Sequence, residues 1–248
     1  MSKDNMDAGI VIIGNEVLKG QVDELNSKWL SNRLFDKGIL IRTVCIIPDN
    51  IENIVETVTR ERSRVAYLFV TGGIGPTHDD MTRQAIARAF SCNLKYNDKI
   101  AYFLEKFYGR RTNEKVLSMA LIPELAKPLA DNPALPGFQI ENVFVFPGYP
   151  RYMKIGFEGI EGLLPGKEKY CFNLVTYLDE SIIAEAIEKL EKDFPQVNVG
   201  SYPDGYESCY RVRLDIFSFH QISFEKACET LKNEIKNLEN KYPREVDN

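Results

Sequence analysis

A chain of 248 residues with 44% hydrophobic and 27% charged side chains has the make-up of a globular protein of one large domain, or of one medium and one small domain. Its net charge of −5 argues against broad nucleic-acid binding, which needs a basic footprint, and no apolar run approaches the roughly 20 residues of a membrane span. Five scattered cysteines, no C-x-x-C and two histidines disfavour a disulfide framework or a thiolate zinc site. The cysteines read as small buried hydrophobes in a reducing compartment, and the polar start at residues 1–7 is not a signal peptide, so a cytoplasmic protein is expected.

Residues 8–13 are wholly apolar, the pattern of a parallel strand buried on both faces, and they end at Gly14-Asn15-Glu16. A helix starts near Asp23, a candidate N-cap, and runs to Lys37 with Val22, Leu25 and Trp29 on one face, until Gly38 stops it. Residues 39–47 form a second strand ending at Pro48-Asp49-Asn50, and Asn50 can cap a helix over 51–63. A third strand, 65–70, leads through a glycine-rich turn into a helix over 81–90. This β-α-β-α-β-α order implies a parallel sheet. Residues 91–125 read as mainly helical, with Ile100, Phe103, Leu104 and Phe107 on one face and a short helix over 115–120. A proline-rich loop at 131–138, a strand at 142–146 ending in Pro147-Gly148-Tyr149-Pro150, and a helix at 152–161 follow.

Pro165-Gly166 marks a boundary. Beyond it come a strand (170–176), a helix (181–192), a strand (198–202), a strictly alternating strand (211–217), a helix (223–238) and a frayed tail from 241. The expected fold is therefore an α/β domain over 1–166, its mostly parallel sheet flanked by helices. A small β-α-β-β-α domain of the ferredoxin-like kind follows over 167–248.

Chemistry centres on Thr71-Gly72-Gly73-Ile74-Gly75-Pro76-Thr77-His78-Asp79-Asp80. Three glycines in a strand-to-helix turn permit positive φ and close approach of a ligand, and successive N–H groups there can cradle a phosphate. The turn is neither G-x-G-x-x-G nor a Walker loop, and Thr77 also suits a plain helix N-cap with Asp79 and Asp80 in the first turn. The carboxyl ends of parallel strands share one edge, where ligands bind. That edge collects Glu16, Asp49, Asp79 and Asp80. Carboxylates beside a phosphate call for a hard cation such as Mg²⁺. Each acid also has a bland reading, as a cap or a solvated side chain. His78 suits a general base or metal ligand as well as an exposed residue, His220 reads as a surface loop residue, and no nucleophilic triad stands out.

Gly14-Asn15-Glu16-Val17-Leu18-Lys19-Gly20, then Asn26, then Thr71 through Thr82, resemble the molybdopterin-binding-like family. That family includes molybdenum-cofactor biosynthesis proteins and the amino-terminal half of bacterial competence/damage-inducible proteins. Pro133, Pro136-Gly137-Phe138 and Phe146-Pro147-Gly148-Tyr149-Pro150 with Met153 match later blocks of the second group. Ile74-Gly75-Pro76-Thr77-His78-Asp79-Asp80, with histidine in the turn, resembles the amino-terminal domain of eukaryotic FAD synthase, and Gly200-Ser201-Tyr202-Pro203-Asp204, Tyr210 and the 211–217 strand resemble the small region that follows it. The resemblance runs from residue 8 to about 238.

It implies a cytosolic homo-oligomer with metal-dependent hydrolysis of dinucleotide pyrophosphates, FAD or ADP-ribose, to FMN or ribose phosphate plus AMP. Mg²⁺ or Co²⁺-like ions, with K⁺, are the implied activators. Carried over, Gly72, Gly73, Gly75, Asp79 and Asp80 fall on the binding turn, with Glu16, Asn26 and Asp49 facing it; the expected roles are then ligand binding for Thr71, Gly72, Gly73, Gly75, Pro76, Thr77, Asn26 and Gly148, metal binding for Asp79, Asp80 and Glu16, and catalysis for Asp80, His78 or Asp49. The alternatives are a module that binds molybdopterin or a flavin nucleotide without turnover, and the amino-terminal part of an FAD synthase. Nothing here resembles the Gly-Gly-Lys-Asp loop of the synthase half, so FAD synthesis is not expected of these residues. Arg151 and a shorter 131–138 loop depart from the bacterial relatives.

Overall fold

The computed structural model describes residues 6–129, 137–204 and 211–244. The expected loop at 131–138 therefore falls almost wholly outside the described residues, as do Tyr210, Cys209 and the end of the tail. The chain divides into two compact units, Met1–Gly166 and Lys167–Asn248, each with its own core.

In the first unit, β1 (Asp7–Ile13), α1 (Asn15–Leu18), α2 (Asn26–Asp36), β2 (Leu40–Ile47), α3 (Ile51–Arg62), β3 (Tyr67–Thr71) and α4 (Thr82–Ala89) come first. After them come β4 (Leu94–Tyr96), α5 (Asp98–Tyr108), α6 (Glu114–Ser118), β5 (Leu121–Pro123), β6 (Lys127–Pro128), β7 (Phe138–Ile140), β8 (Val143–Phe146) and α7 (Pro150–Glu161). The main sheet has the order β2-β1-β3-β8-β7-β6. β2, β1, β3 and β8 pair in parallel, and β7 and β6 are added antiparallel.

Alternation along the central strands builds two cores. Val11, Leu68, Val70, Val143 and Val145 pack on one face with α3, α4, α5 and α6. Ile10, Ile12, Phe69, Phe144 and Phe146 pack on the other with α2 and α7. The second core is aromatic: Phe69 lies 5.4 Å from Phe144, 6.3 Å from Phe146 and 5.8 Å from Phe157 between ring centroids, and Trp29 meets Phe157 edge-on at 5.5 Å.

The order of strands marks the edge where a candidate site lies. The chain leaves β1 through α2 on one face to reach β2, then crosses through α3 on the opposite face to β3, on the other side of β1. The direction of winding switches between β1 and β3, and the loops beyond their carboxyl ends diverge to leave a crevice.

Local differences from the sequence reading have local causes. α2 starts at Asn26, not near Asp23, because the Glu24 carboxylate accepts the N–H groups of Asn26 (2.7 Å) and Ser27 (3.0 Å). Its buried face is Asn26, Leu30 and Leu34, while Val22 and Leu25 are exposed. Asn50 caps α3 as expected, accepting from Asn53 N–H at 3.1 Å. The stretch read as helical after residue 90 also holds the β4–β5 pair. Among the described cysteines only Cys228 is buried; Cys45 and Cys92 are half-buried and Cys171 is exposed, so the buried-hydrophobe reading fails for three of four.

The second unit is β9 (Tyr170–Thr176), α8 (Glu180–Asp193), β10 (Val197–Pro203), β11 (Val212–Ser218) and α9 (Gln221–Lys241). Its antiparallel sheet has the order β10-β11-β9. Val212, Leu214 and Ile216 face a core with Ile183, Leu190, Ala227, Leu231 and Ile235, the β-α-β-β-α sandwich expected from the alternation. His220 is the N-cap of α9 rather than a free loop residue.

Phe69→Ala removes the ring at the centre of the aromatic core, where 0% of the residue is exposed. A loss of about 4 kcal/mol is expected, lowering the melting temperature of the first unit by roughly 10 °C. Calorimetry of parent and variant reads this directly, and an unchanged melting temperature would show that the cluster does not hold the sheet together.

Candidate functional site

The carboxyl ends of β1, β2, β3 and β8 meet through backbone bonds. Gly14 N–H donates to the Ile47 carbonyl and Gly72 N–H to the Phe146 carbonyl, both at 3.1 Å. Around this edge lies a cavity of about 480 Å³, lined by Glu16, Asp49, the Gly72–Pro76 turn, Asp79, Asp80 and Gly148 among others.

The turn needs its glycines. Gly72 has φ +105°, and a Cβ there would sit 2.1 Å from the Ile13 carbonyl oxygen. Gly73 has φ +64°, and a Cβ would sit 2.2 Å from Thr82 Oγ1 and 3.2 Å from Asp49 Oδ1. The backbone thus passes where no side chain fits.

Two opposite charges then clamp the turn. Asp80 accepts Gly75 N–H on Oδ1 (2.7 Å), and Thr77 N–H (2.8 Å) and hydroxyl (2.5 Å) on Oδ2. Arg83, only 4% exposed, donates to the carbonyls of Ile74 and Gly75, the latter at 2.9 Å. Burial pulls the Arg83 guanidinium below its ordinary pKa, and the Asp80 charge works against that pull. Thr82 completes the clamp: its hydroxyl donates to the Gly72 carbonyl (2.9 Å) and its N–H to that of Gly73 (3.0 Å).

This arrangement corrects two expectations. The turn does not run straight into a helix capped by Thr77; α4 begins at Thr82, after a turn that Asp80 closes. Part of the N–H cradle is also already filled by the Asp80 carboxylate. Among the described residues, the N–H groups of Gly73 and Ile74 have no protein acceptor, and both residues line the cavity.

Of the other expected site residues, Thr71 and Asn26 are buried behind the cavity wall. Asn26 Nδ2 donates to Thr71 Oγ1 (3.2 Å) and to the Gly148 carbonyl (2.8 Å), joining α2, β3 and the β8–α7 corner. They position the turn and do not line the cavity. His78 is 95% exposed at its side chain and lies outside the lining, 4.0 Å from Asp79 Oδ1. Thr77 is outside the lining too, while Pro76 and Gly75 lie within it.

The four carboxylates do come together: Glu16, Asp49, Asp79 and Asp80 line one cavity, and among the described residues no Lys, Arg or His lines it with them. Among the described residues, no group of three or more His, Cys, Asp or Glu forms a ready metal cage. Glu16 folds back over Gly14. Asp49 Oδ2 accepts Asn15 N–H at 3.0 Å. Burial pushes the Asp49 carboxyl above its ordinary pKa, the Asn15 N–H opposes this, and the charges of Glu16, Asp79 and Asp80 add to it.

Sequence reasoning missed two parts. Arg83 reads as an ordinary helix residue, and only its burial under the turn reveals its role. The far wall of the cavity, with Leu104, Phe107, Tyr108, Met119, Tyr149 and Tyr152, comes from α5, α6 and the β8–α7 corner, which are distant in sequence. The exposed aromatic end of α5 was the available hint: Phe107 continues the Ile100–Leu104 face one turn past the core.

A carboxyl with a raised folded-state pKa holds its proton better in the folded than in the unfolded chain. Stability then falls as pH rises from the ordinary aspartate range, about 4, through the raised value. Asp49→Asn keeps an acceptor for Asn15 N–H and removes the charge. It should be more stable than the parent at pH 7, with the difference vanishing below about pH 4. Denaturant titrations at both pH values test this; a less stable variant at pH 7 sinks it.

Residues 9–165 match the family described as a probable molybdopterin binding domain, and residues 170–242 match the one described as the middle domain of FAD synthase. A protein of Aeropyrum pernix is 35% identical over 215 residues, 81% of this chain and 80% of its own. One of Pyrococcus furiosus is 32% identical over 248 residues, 92% of this chain and 96% of its own. A probable FAD synthase of Caenorhabditis elegans is 28% identical over 91% of this chain, which spans 49% of that relative's length. The crystal structure of protein CinA of Thermoplasma acidophilum superposes with a TM-score of 0.60 and 26% identity, over 64% of this chain and 98% of that one. No helix among the described residues is long and apolar enough to cross a membrane. With most of its first unit matched and its glycine turn at the expected strand end, the chain belongs to the molybdopterin-binding domain family, and its second unit is similar to the middle domain of FAD synthase.

Proposed function

We propose that the protein hydrolyses the pyrophosphate of an FAD-like dinucleotide with the help of a divalent cation, releasing FMN and AMP. The observation that carries this reading is one cavity in which a glycine turn, four carboxylates and a run of aromatic rings converge. Its volume is in the range of small-molecule sites. The middle-domain match and the probable FAD synthase relative favour a flavin dinucleotide over other diphosphates.

A pyrophosphate is anionic, yet the cavity offers it carboxylates and no cationic side chain. Hard ions such as Mg²⁺ take one or two carboxylates and complete their shell with substrate oxygens and water. That habit fits an acidic edge without a preformed three-ligand cage. Glu16, Asp79 and the remaining lone pairs of Asp80 are the groups to hold such an ion. When bound, it polarises the phosphorus–oxygen bonds and lowers the pKa of a bound water.

The chain's own residues do the rest. Gly73 and Ile74 N–H groups take a phosphate oxygen, and Arg83 and Asp80 keep those donors rigid. Asp49, with its raised pKa, receives the proton of the attacking water. The water oxygen bonds to one phosphorus, the anhydride bond breaks, and the bridging oxygen leaves with the other phosphate.

A binding module without turnover is the second reading. It draws on the engagement of both Asp80 oxygens by the turn and on the exposure of His78, which leave Asp49 as the main group free to move a proton.

Incubation with FAD, K⁺ and Mg²⁺ or Co²⁺ should give FMN and AMP in equal amounts, stopped by a chelator. Asp49→Asn should lower kcat by roughly 10²-fold or more. FAD recovered intact with every metal, beside measurable FAD affinity, moves the weight to the binding module.

A further inference from the structure

The cavity has a second end that the phosphate chemistry does not use. Phe107 and Tyr108 close the last turn of α5, and Tyr149 and Tyr152 open α7. All four line the cavity. They touch in a chain: Tyr108 to Phe107 at 5.1 Å, Phe107 to Tyr152 at 6.3 Å, and Tyr152 to Tyr149 at 5.4 Å between centroids.

Two features separate this wall from ordinary core packing. Phe107 is 42% exposed and Tyr149 63%, so their apolar surface meets the cavity and solvent rather than a packed interior. The Phe107–Tyr152 pair is edge-to-face at 85°, and the Phe107–Tyr108 pair at 77°. Edge-to-face pairs fix the rings yet use only one face of one partner, which leaves ring faces open to a guest. Aromatic faces held rigid beside a phosphate-sized turn suit a flat, conjugated group joined to a phosphate.

We propose that Phe107, Tyr149 and Tyr152 form the subsite for a planar heteroaromatic ring, that of a nucleotide half of the substrate, and that this wall selects dinucleotides over ring-free diphosphates. The proposal deepens the pyrophosphatase reading and rests on it for the identity of the substrate, but not for the binding of the ring. Base-on-aromatic stacking tolerates different rings, because every such ring presents a π-face. The wall therefore accepts a flavin or an adenine, while inorganic pyrophosphate gains nothing from it.

The test separates ring from phosphate. Riboflavin and adenosine carry rings without phosphate, and inorganic pyrophosphate with Mg²⁺ carries phosphates without a ring. The dissociation constants of all three are measured for the parent, Phe107→Ala, Tyr149→Ala and Tyr149→Phe. The better-bound nucleoside should weaken roughly 10-fold in each alanine variant and hold its affinity in Tyr149→Phe. The affinity for pyrophosphate should not change. Equal nucleoside affinity in all four proteins overturns the proposal. So does a parallel loss for pyrophosphate, since the wall would then only support the turn. Neither measurement involves turnover: a protein that leaves FAD intact removes the hydrolase reading without touching this one, and a working hydrolase with unaltered nucleoside affinities removes the ring subsite alone.

Discussion

The site depends on the clamp around the Gly72–Thr77 turn. A backbone with two consecutive positive-φ glycines is floppy in the unfolded chain, and its polar groups need partners once buried. Asp80 takes N–H groups from Gly75 and Thr77, and Arg83 takes the carbonyls of Ile74 and Gly75. The two charged side chains lie three residues apart, on either side of the start of α4. Each is satisfied by backbone dipoles, and each lies in the other's field. Both hold the same few peptide groups, one from the N–H side and one from the carbonyl side, so the pair and the turn form one unit.

That unit shapes the electrostatics of the cavity. With Arg83 turned beneath the turn, its charge serves the backbone and not the ligand. The lining is left acidic, and the acids raise the proton affinity of Asp49. An acidic lining of this kind repels a bare anion, which is why the proposed substrate is taken together with a cation. The same field that disfavours an ionised Asp49 raises its proton affinity, and the proposed proton-accepting role rests on that property.

The scaffold explains why these groups meet. Asn15, Asp49, Gly72 and Gly148 come from four separate loops, and parallel pairing brings all four to one edge. Asn26 bridges the buried ends of two of those strands, and Gly148 packs closely on Gly72, where an added Cβ would lie 3.2 Å from the Gly72 Cα. The aromatic core on the α2–α7 side holds α7 in place, and with it Tyr149 and Tyr152 at the cavity mouth. The chemistry at the edge and the packing beneath the sheet are therefore linked through the corner between β8 and α7.

The sequence by itself determined the class of fold and the edge where the chemistry lies. Runs such as Ala-Gly-Ile-Val-Ile-Ile and Tyr-Leu-Phe-Val read as two-faced buried strands because period and branching are local properties. Pro-Asp-Asn after β2 and Gly-Gly-Ile-Gly after β3 named the loops that would share an edge. The acids Glu16, Asp49, Asp79 and Asp80 were legible for the same reason. Only the tertiary structure decided how each group is used. Asp80 closes its own turn, Asn26 and Thr71 brace it from behind, and His78 is exposed to solvent, though the sequence alone set all four at the same strand edge. The small β4–β5 pair, the role of Arg83 and the aromatic wall were hidden because each depends on partners far along the chain. Local pattern tells which element a residue joins; its burial and partners, and hence its chemistry, are set only when distant elements pack.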